Sequence, residues 1–409
     1  GHSGSQAPQL IHSSVIIIAI ILCFYLKCWC KYKFILQTSF NTKKLVQTCF
    51  TLILKKSFMS QTENIVNTFI RVGQRIKAFC EQYPNGSLEG IVDTAKVNNP
   101  WFTAHNQIKS LKAIASMLQQ ESLQQWISCY SLIEQLPKSI GVVMAGNIPA
   151  VGFHDLMTVL VSGNKIQIKP SSSDRILMEW IAAIIKSENA ELGNRISFVD
   201  KLQRPDAVIA TGSDNTARYF HYYFSKVPHV IRKNRNSVAV LKGKETSEEL
   251  FALGDDIFSY FGLGCRNVSK LMVPVGYNFE NFFKAIEPYG NELLLHNKYI
   301  NNYDYYRAIY LMESIPFLTN NFVHLLEQQS IASPVSVIHY ETYDNQSLLQ
   351  QLLTDEADKI QCIISADKIT GKEISFGKGQ QPSASDYADG VDTLRFLIEQ
   401  FSEQNNSNA

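Results

Sequence analysis

The sequence lacks the cysteine patterns that mark a metal centre or a disulfide framework. Its eight cysteines and nine histidines are scattered along 409 residues, and no Cys-x-x-Cys pair occurs. The closest pair, Cys28 and Cys30, has no partners at ligand spacing. A zinc site is therefore not expected. Such cysteine usage is also typical of a reducing compartment, so the predicted location is cytoplasmic.

The first 58 residues contain no Asp or Glu, and the first acidic residue of the chain is Glu63. Seven of the 38 basic residues lie in that segment, which leaves 31 against 37 acidic ones in the rest. Val15–Leu26 is an apolar run, shorter than the roughly 20 residues that a membrane-spanning helix needs. We expect residues 1–58 to lie upstream of a native start at Met59. We also expect the protein to have no membrane partner. A signal-peptide core and a marginal membrane anchor are the alternatives.

The sequence also lacks a strong charge excess and a nucleotide-binding glycine fingerprint. A net charge of +1 argues against nucleic acid as the main partner. No Gly-x-Gly-x-x-Gly motif occurs, which excludes the ordinary Rossmann fingerprint. Hydrophobic content of 45% and charged content of 18% are typical of a globular protein, and the length suffices for two or three domains.

Predicted strands and helices alternate from Lys138 onward. Before that point, Ile65, Phe69, Val72 and Ile76 recur at helical spacing. Strands are predicted at 140–145, 165–169, 195–199, 206–210, 237–241, 268–275, 336–339 and 360–364, and helices at 151–161, 174–187 and 214–224. This alternation predicts an α/β fold with a parallel, doubly wound sheet, followed by a second α/β unit.

Cys265 is the candidate nucleophile. It lies in the run Phe261-Gly262-Leu263-Gly264-Cys265-Arg266-Asn267, between a predicted helix and a predicted strand. A thiol attacks a thioester or an aldehyde as the thiolate, so the site must lower the thiol pKa or supply a base. Arg266 is a candidate for lowering that pKa. The alternative is a buried structural cysteine.

Asn147 is the candidate oxyanion donor. It lies in the turn Gly146-Asn147-Ile148-Pro149, directly after a predicted strand. A side-chain amide at this position projects into the crevice at the carboxyl edge of a parallel sheet, where it can stabilise a developing negative charge. An ordinary loop asparagine is the alternative.

Two further strand-to-helix turns are candidates for binding a phosphate or a ribose. One is Lys169-Pro170-Ser171-Ser172-Ser173-Asp174, and the other is Thr211-Gly212-Ser213-Asp214. Hydroxyl groups and free N–H groups at the start of a helix favour anionic ligands. Each turn is equally well explained as a simple helix cap.

In this order, the motifs resemble those of the aldehyde dehydrogenase superfamily, which has an Asn-Pro turn, a Lys-Pro turn, a Gly-Ser turn and then a nucleophilic cysteine. The resemblance implies that Asn147 holds the oxyanion and that Cys265 is the nucleophile. It implies that Lys169 contacts the cofactor ribose and that Gly212 and Ser213 lie near the pyrophosphate. The implied fold is aldehyde dehydrogenase-like: a Rossmann-like cofactor domain plus a second α/β catalytic domain.

The domain boundaries follow from this resemblance. Residues 59–235 are expected to form a helical lead-in and the cofactor-binding domain, and residues 236–375 the catalytic domain. Residues 376–409 are expected to return to the cofactor domain or to form an oligomer interface.

Two departures from the superfamily pattern are informative. Its hydrolytic members carry a glutamate base some thirty residues before the cysteine, but the window 230–236 contains no carboxylate. A later motif with a ribose-binding glutamate is altered to Ser330-Ile331-Ala332-Ser333-Pro334-Val335. With the ending Asp386–Leu394, these features resemble the acyl-CoA reductase branch, typified by the fatty acid reductase of bacterial luminescence.

This branch implies reduction of a long-chain acyl-CoA or acyl-protein thioester to the aldehyde through a cysteine acyl-enzyme. NADPH is the expected cofactor, because Ser172 stands where NAD-preferring relatives carry a glutamate that repels a 2′-phosphate. Lys169, Ser171 and Ser172 are expected to accept that phosphate, with Asp174 opposing it. A homo-oligomer is expected, with an acyl-protein synthetase as a possible partner. The alternatives are an NAD(P)-dependent aldehyde dehydrogenase and a non-catalytic acyl-binding subunit.

Overall fold

The computed structural model describes residues 40–84, 89–132 and 136–406. The chain divides into two units, residues 1–58 and residues 59–409. The apolar run Val15–Leu26 lies outside the described residues, so the expectations for it stay predictions. In the described part of the chain, no helix is both long and apolar enough to cross a membrane.

Among the described residues, four helices precede the first sheet. Ile65, Phe69, Val72 and Ile76 of the first helix are buried in one hydrophobic core with the strands that follow, which confirms the helical spacing. The Thr103 hydroxyl caps the third helix. The four helices are α1 (Phe40–Gln82), α2 (Glu89–Asn98), α3 (Ala104–Met117) and α4 (Gln120–Ser128).

The first sheet has five parallel strands in the order β3-β2-β1-β4-β5, which confirms the doubly wound prediction. Its strands are β1 (Ser139–Val143), β2 (Lys165–Lys169), β3 (Ile196–Phe198), β4 (Ala207–Thr211) and β5 (His229–Arg232). The helices among them are α5 (Phe153–Val161), α6 (Arg175–Glu188), α7 (Ala190–Gly193) and α8 (Asp214–Phe224). Ile140 and Val142 of β1 and Ile166 and Ile168 of β2 are fully buried, as apolar residues that share one face of a covered strand must be.

The strand order reverses between β1 and β4, which run side by side. In such sheets, ligands bind in the crevice outside the carboxyl ends of the strands at this point. The turns that contain Asn147, Lys169 and Gly212 follow β1, β2 and β4. Three neighbouring strands therefore carry the predicted oxyanion and cofactor residues to one edge of the sheet.

The second sheet has six strands in the order β11-β6-β7-β10-β9-β8, all parallel except the β8–β9 pair. Its strands are β6 (Asn236–Val240), β7 (Val268–Pro274), β8 (Leu318–Thr319), β9 (His324–Glu327), β10 (Val337–Tyr343) and β11 (Ile360–Ile364). The helices are α9 (Ser247–Phe258), α10 (Glu280–Ile286), α11 (Gly290–Leu293), α12 (Asn297–Met312) and α13 (Gln346–Asp355).

The last described helix, α14 (Thr393–Asn406), packs with the first sheet although it follows the second in the sequence. Leu394, Leu397 and Phe401 are buried in the same core as β1 and β2. The segment that leads into α14 thereby comes close to the end of β5.

Candidate active site

Cys265 lies in a tight turn immediately before β7. The turn is closed by a hydrogen bond from the Asn267 N–H to the Gly264 carbonyl, 3.0 Å long. The Asn267 side chain ties this turn to the end of α9. Its amide donates to the carbonyl groups of Asp256 (3.1 Å), Ile257 (3.2 Å) and Ser259 (2.9 Å). A single buried asparagine therefore determines where the Cys265 loop leaves the helix.

The backbone just before this turn is strained. Tyr260 and Phe261 have φ values of 54° and 58°, and Gly262 follows with 77°. Left-handed conformations are unfavourable for large side chains, and they persist only where the surrounding structure holds them. Both aromatic residues are almost fully buried, so their packing supplies that restraint.

Burial dominates the electrostatics of the Cys265 thiol. Desolvation raises the pKa of this thiol to about 11, although Arg266 and Arg232 lower it. The predicted effect of Arg266 is present, but it is smaller than the effect of burial. With this pKa, only about one thiol in 10⁴ is ionised at pH 7. Nucleophilic attack by Cys265 would therefore require that a bound ligand lower this pKa.

Alkylation of Cys265 in the ligand-free protein is expected to accelerate steadily with pH. Because the thiolate reacts and the pKa lies near 11, the iodoacetamide rate constant should rise about tenfold per pH unit between pH 7 and 10. Mass spectrometry of the Cys265 peptide separates this reaction from that of the exposed Cys129. A plateau near neutral pH would show instead that the two arginines outweigh burial.

The structure brings Asn147 to the Cys265 loop. The Asn147 side-chain amide donates to the Leu263 carbonyl at 2.6 Å, two residues before the cysteine. Ile148 lies against Gly264 from the same side. Residues more than a hundred positions apart therefore meet, and the amide lies beside the loop that carries the predicted nucleophile. Asn147 is itself exposed, as a group that meets substrate must be.

The Lys169–Asp174 turn lies beside the Asn147 turn. A side chain at Gly146 would collide with Ser171, so only glycine allows the two turns to approach this closely. Lys169 and Ser172 are exposed, whereas Asp174 is buried. Burial raises the pKa of the Asp174 carboxyl to about 8, partly offset by the N–H groups of Ala150 and Val151. Asp174 is consequently largely uncharged near pH 7.

The Gly212–Ser213 turn forms the start of α8. The Ser213 hydroxyl caps the helix by accepting the Thr216 N–H at 3.3 Å. The Gly212 N–H donates to the Arg232 carbonyl at 3.3 Å, which ties the turn to the end of β5. The turn therefore caps α8 and lies at the carboxyl end of β4, and its role in binding a cofactor stays a prediction.

Arg232 lies in the window where the hydrolytic relatives carry their glutamate base. Its side chain is only 5% exposed and forms an ion pair with Asp155 of α5, with 2.7 Å between Nη1 and Oδ2. Its Nη2 donates to the Thr393 hydroxyl at 2.7 Å. A guanidinium cannot accept a proton from water at neutral pH. Within this window, Arg232 therefore supplies a fixed cation and not a base.

Removing one partner of this buried pair is expected to destabilise the protein strongly. Arg232→Met leaves the Asp155 carboxylate buried without its counter-ion, which should cost about 3–5 kcal/mol of unfolding free energy. Urea unfolding of the variant measures this loss. The double variant Arg232→Met/Asp155→Leu should recover most of it, because neither charge is left uncompensated. A single-variant loss below about 1 kcal/mol would contradict the buried pair.

A carboxylate does reach this window, but from the C-terminal segment. Asp389 Oδ2 accepts the Lys233 N–H at 3.3 Å, and its Oδ1 lies 3.5 Å from Arg235 Nε. Burial raises the pKa of the Asp389 carboxyl, while Arg235 and Arg232 lower it. Sequence reasoning singled out both segments but did not connect them, because nothing in the sequence marks a contact across 156 positions.

The altered segment Ser330–Val335 is anchored by its backbone. Side chains of β7 and β10 bind carbonyl groups in and just before it: Ser269 binds that of Ile331 (2.7 Å), His339 that of Ser330 (2.9 Å) and Lys270 that of the preceding Gln329 (2.6 Å). Behind the Cys265 loop, a small cavity of about 30 Å³ lies between this segment and Phe261. It has room for a few water molecules rather than a long acyl chain.

Comparison with known proteins identifies the fold and then the family. Aldehyde dehydrogenase 21 from Physcomitrella patens, solved with its product succinate, is similar with a TM-score of 0.58 and 11% identity, over 83% of this chain and 84% of that one. An indole-3-acetaldehyde dehydrogenase in complex with NAD⁺ is similar with a TM-score of 0.55 and 13% identity, over 77% and 75%. The P. syringae indole-3-acetaldehyde dehydrogenase gives 0.54 and 13%, again over 77% and 75%. The fold is therefore that of the aldehyde dehydrogenases.

The sequence model of the acyl-CoA reductase (LuxC) family matches residues 61–273, slightly more than half of the chain. The chain thus belongs to the acyl-CoA reductase family and is an oxidoreductase that acts on acyl or aldehyde groups. No curated protein gave a significant match. Both the family resemblance and the fold class predicted from the sequence are confirmed. Among the described residues, no group of histidine, cysteine and acidic side chains forms a metal site.

Proposed function

We propose that the protein reduces a long-chain acyl-CoA or acyl-protein thioester to the fatty aldehyde, with NADPH, through an acyl-enzyme on Cys265. The observation that carries this proposal is the ion pair between Arg232 and Asp155, 2.7 Å long. Arg232 lies in the window 230–236, where the hydrolytic relatives carry a glutamate base. The Asp389 carboxylate that reaches this window accepts the Lys233 N–H and lies beside Arg235, so water is poorly activated and an acyl-enzyme is not readily hydrolysed. It therefore persists until a hydride reaches it.

Cys265 and Asn147 have separate roles in the proposed acyl transfer. The Cys265 thiolate attacks the thioester carbonyl, and the new carbon–sulfur bond forms as coenzyme A leaves as its thiolate. The Asn147 amide, beside the Cys265 loop, stabilises the oxyanion of the tetrahedral intermediate. NADPH, when bound, would supply a hydride to the acyl carbon. Collapse of the hemithioacetal oxyanion would break the carbon–sulfur bond, releasing the aldehyde and the Cys265 thiolate.

The turn after β2 suits a cofactor with a 2′-phosphate. Lys169 and Ser172 are exposed at the edge of the sheet, where a cation and a hydroxyl can meet an anion. The objection from Asp174 is weak, because its raised pKa of about 8 leaves little negative charge at neutral pH. Gly212 and Ser213 supply a helix start for the pyrophosphate. Comparison of kcat/KM for NADPH and NADH tests this preference.

Intact-mass measurement tests the proposed function directly. The protein is incubated with a long-chain acyl-CoA in the absence of cofactor, and an adduct equal in mass to the acyl group is expected. Addition of NADPH should discharge it as the aldehyde. No adduct with any chain length would contradict the proposal, and release of free acid without NADPH would favour a hydrolytic enzyme. The same assay with an acylated partner protein tests the other class of donor.

A further inference from the structure

Helix α3 contacts both loops of the candidate site. The Asn106 side-chain oxygen accepts the Tyr260 N–H at 3.1 Å, five residues before Cys265. The Ser110 hydroxyl donates to the Pro149 carbonyl at 2.6 Å, two residues after Asn147. Asn106 is 4% exposed and Ser110 is 7% exposed, so neither bond competes with water.

The two side chains are four residues apart in α3, and therefore they are neighbours on one face. Their Cβ atoms are about 5–6 Å apart, as in any α-helix. One rigid element thus carries both contacts at a defined spacing. The hydrogen bond from the Asn147 side-chain amide to the Leu263 carbonyl then joins the two loops directly.

Each contact lies beside strained backbone. Tyr260 is left-handed at φ 54°, and Ala150, which follows Pro149, has the same φ value. Such conformations are held in place only by their surroundings. The hydrogen bonds to α3 anchor the peptide groups next to each of them, so a change in α3 is transmitted to both loops.

A third contact holds α3 against the helix that leads to Cys265. Lys109 forms an ion pair with Asp255 near the end of α9. Both side chains are partly exposed, so this pair is a weaker restraint than the two buried hydrogen bonds.

We propose that Asn106 and Ser110 are positioning residues, which hold the Asn147 amide and the Cys265 thiol at the separation that acyl transfer requires. This inference rests on the proposed function. Neither residue touches the reacting atoms. Their effect is to place a hydrogen-bond donor where charge develops, and small misplacements of such a donor are costly.

Two reactions of the same thiol test the proposal. Asn106→Ala and Ser110→Ala should each slow acylation of Cys265 by acyl-CoA about 10- to 100-fold, with little change in KM. Alkylation by iodoacetamide should keep its wild-type rate, because attack at a saturated carbon creates no oxyanion. Ser110→Thr, which keeps the hydroxyl, should restore acylation. Ser116→Ala, an exposed serine in the same helix, is the matched control and should leave both rates unchanged.

The outcomes separate this inference from the proposed function. Wild-type protein that forms no acyl adduct would overturn the proposed function, and this inference with it. An acylated wild type whose Asn106 and Ser110 variants react equally fast would overturn the inference alone. Parallel slowing of acylation and alkylation would also overturn it, since that result indicates general loss of structure around Cys265.

Discussion

Replacing Cys265 with alanine is expected to remove the acyl adduct and to abolish aldehyde formation. No thiolate is then available to form the acyl-enzyme, and the expected loss is on the order of 10⁴-fold or more. The measurement is the intact mass after incubation with acyl-CoA, followed by assay of the aldehyde when NADPH is added. The substitution should leave stability almost unchanged, because it removes one sulfur atom from a half-buried residue.

Other cysteines provide the controls for this experiment. Cys362→Ala removes a buried thiol from β11, and Cys129→Ala removes an exposed one. Neither should alter the adduct or the aldehyde yield. An adduct that survives in Cys265→Ala but disappears in one of these variants would assign the nucleophile to a different thiol and contradict the proposed mechanism.

Replacing Asn147 with alanine is expected to lower kcat for acyl transfer by about 10²–10³-fold, the usual loss when one oxyanion donor is removed. Asn147→Asp should be at least as damaging, because its carboxylate cannot donate and repels the developing oxyanion. KM should change little, since the amide acts mainly on the transition state. Rates of Cys265 acylation under single turnover measure this loss.

Asn147 also donates to the Leu263 carbonyl, so its removal also perturbs the Cys265 loop. This structural effect must be separated from the loss of the oxyanion donor. The iodoacetamide reaction of Cys265 does this, because it depends on the thiol and not on an oxyanion donor. An unchanged alkylation rate beside a 100-fold slower acylation would support the oxyanion role. A loss of less than about threefold in acylation would argue against it.

Much of the architecture was predictable because it depends on local pattern. The bounds of β2, α8 and β11 agree with the predicted ranges, since alternating or continuous apolar residues next to turn residues specify them locally. At the start of α9, the Thr246 hydroxyl and the Glu249 side chain form a capping box, which is a local feature because it involves only four consecutive positions. The order of these elements was also sufficient to predict a parallel sheet with the candidate residues at its carboxyl edge.

The strands and the helix that the sequence did not predict are those with a weak local pattern of apolar residues. β5, β8 and β9 have only two to four residues, too few for a period to stand out. Helix α12 buries Tyr299, Tyr303 and Tyr310, but these tyrosines have no clear apolar stripe around them in the sequence. The secondary structure of α12 is determined by its packing against the second sheet, and sequence periodicity does not report such packing.

The sequence by itself determined the fold class, the family and the two segments that meet around Cys265. Only the tertiary structure decided which distant residues contact that site and how the pKa of its thiol is shifted. Arg232 meets Asp155 and Thr393 across 77 and 161 positions. The pKa of Cys265 rises despite the adjacent Arg266, because burial in the folded chain outweighs a neighbouring charge. Contacts and desolvation of this kind arise only when distant segments pack together, and no local pattern encodes them.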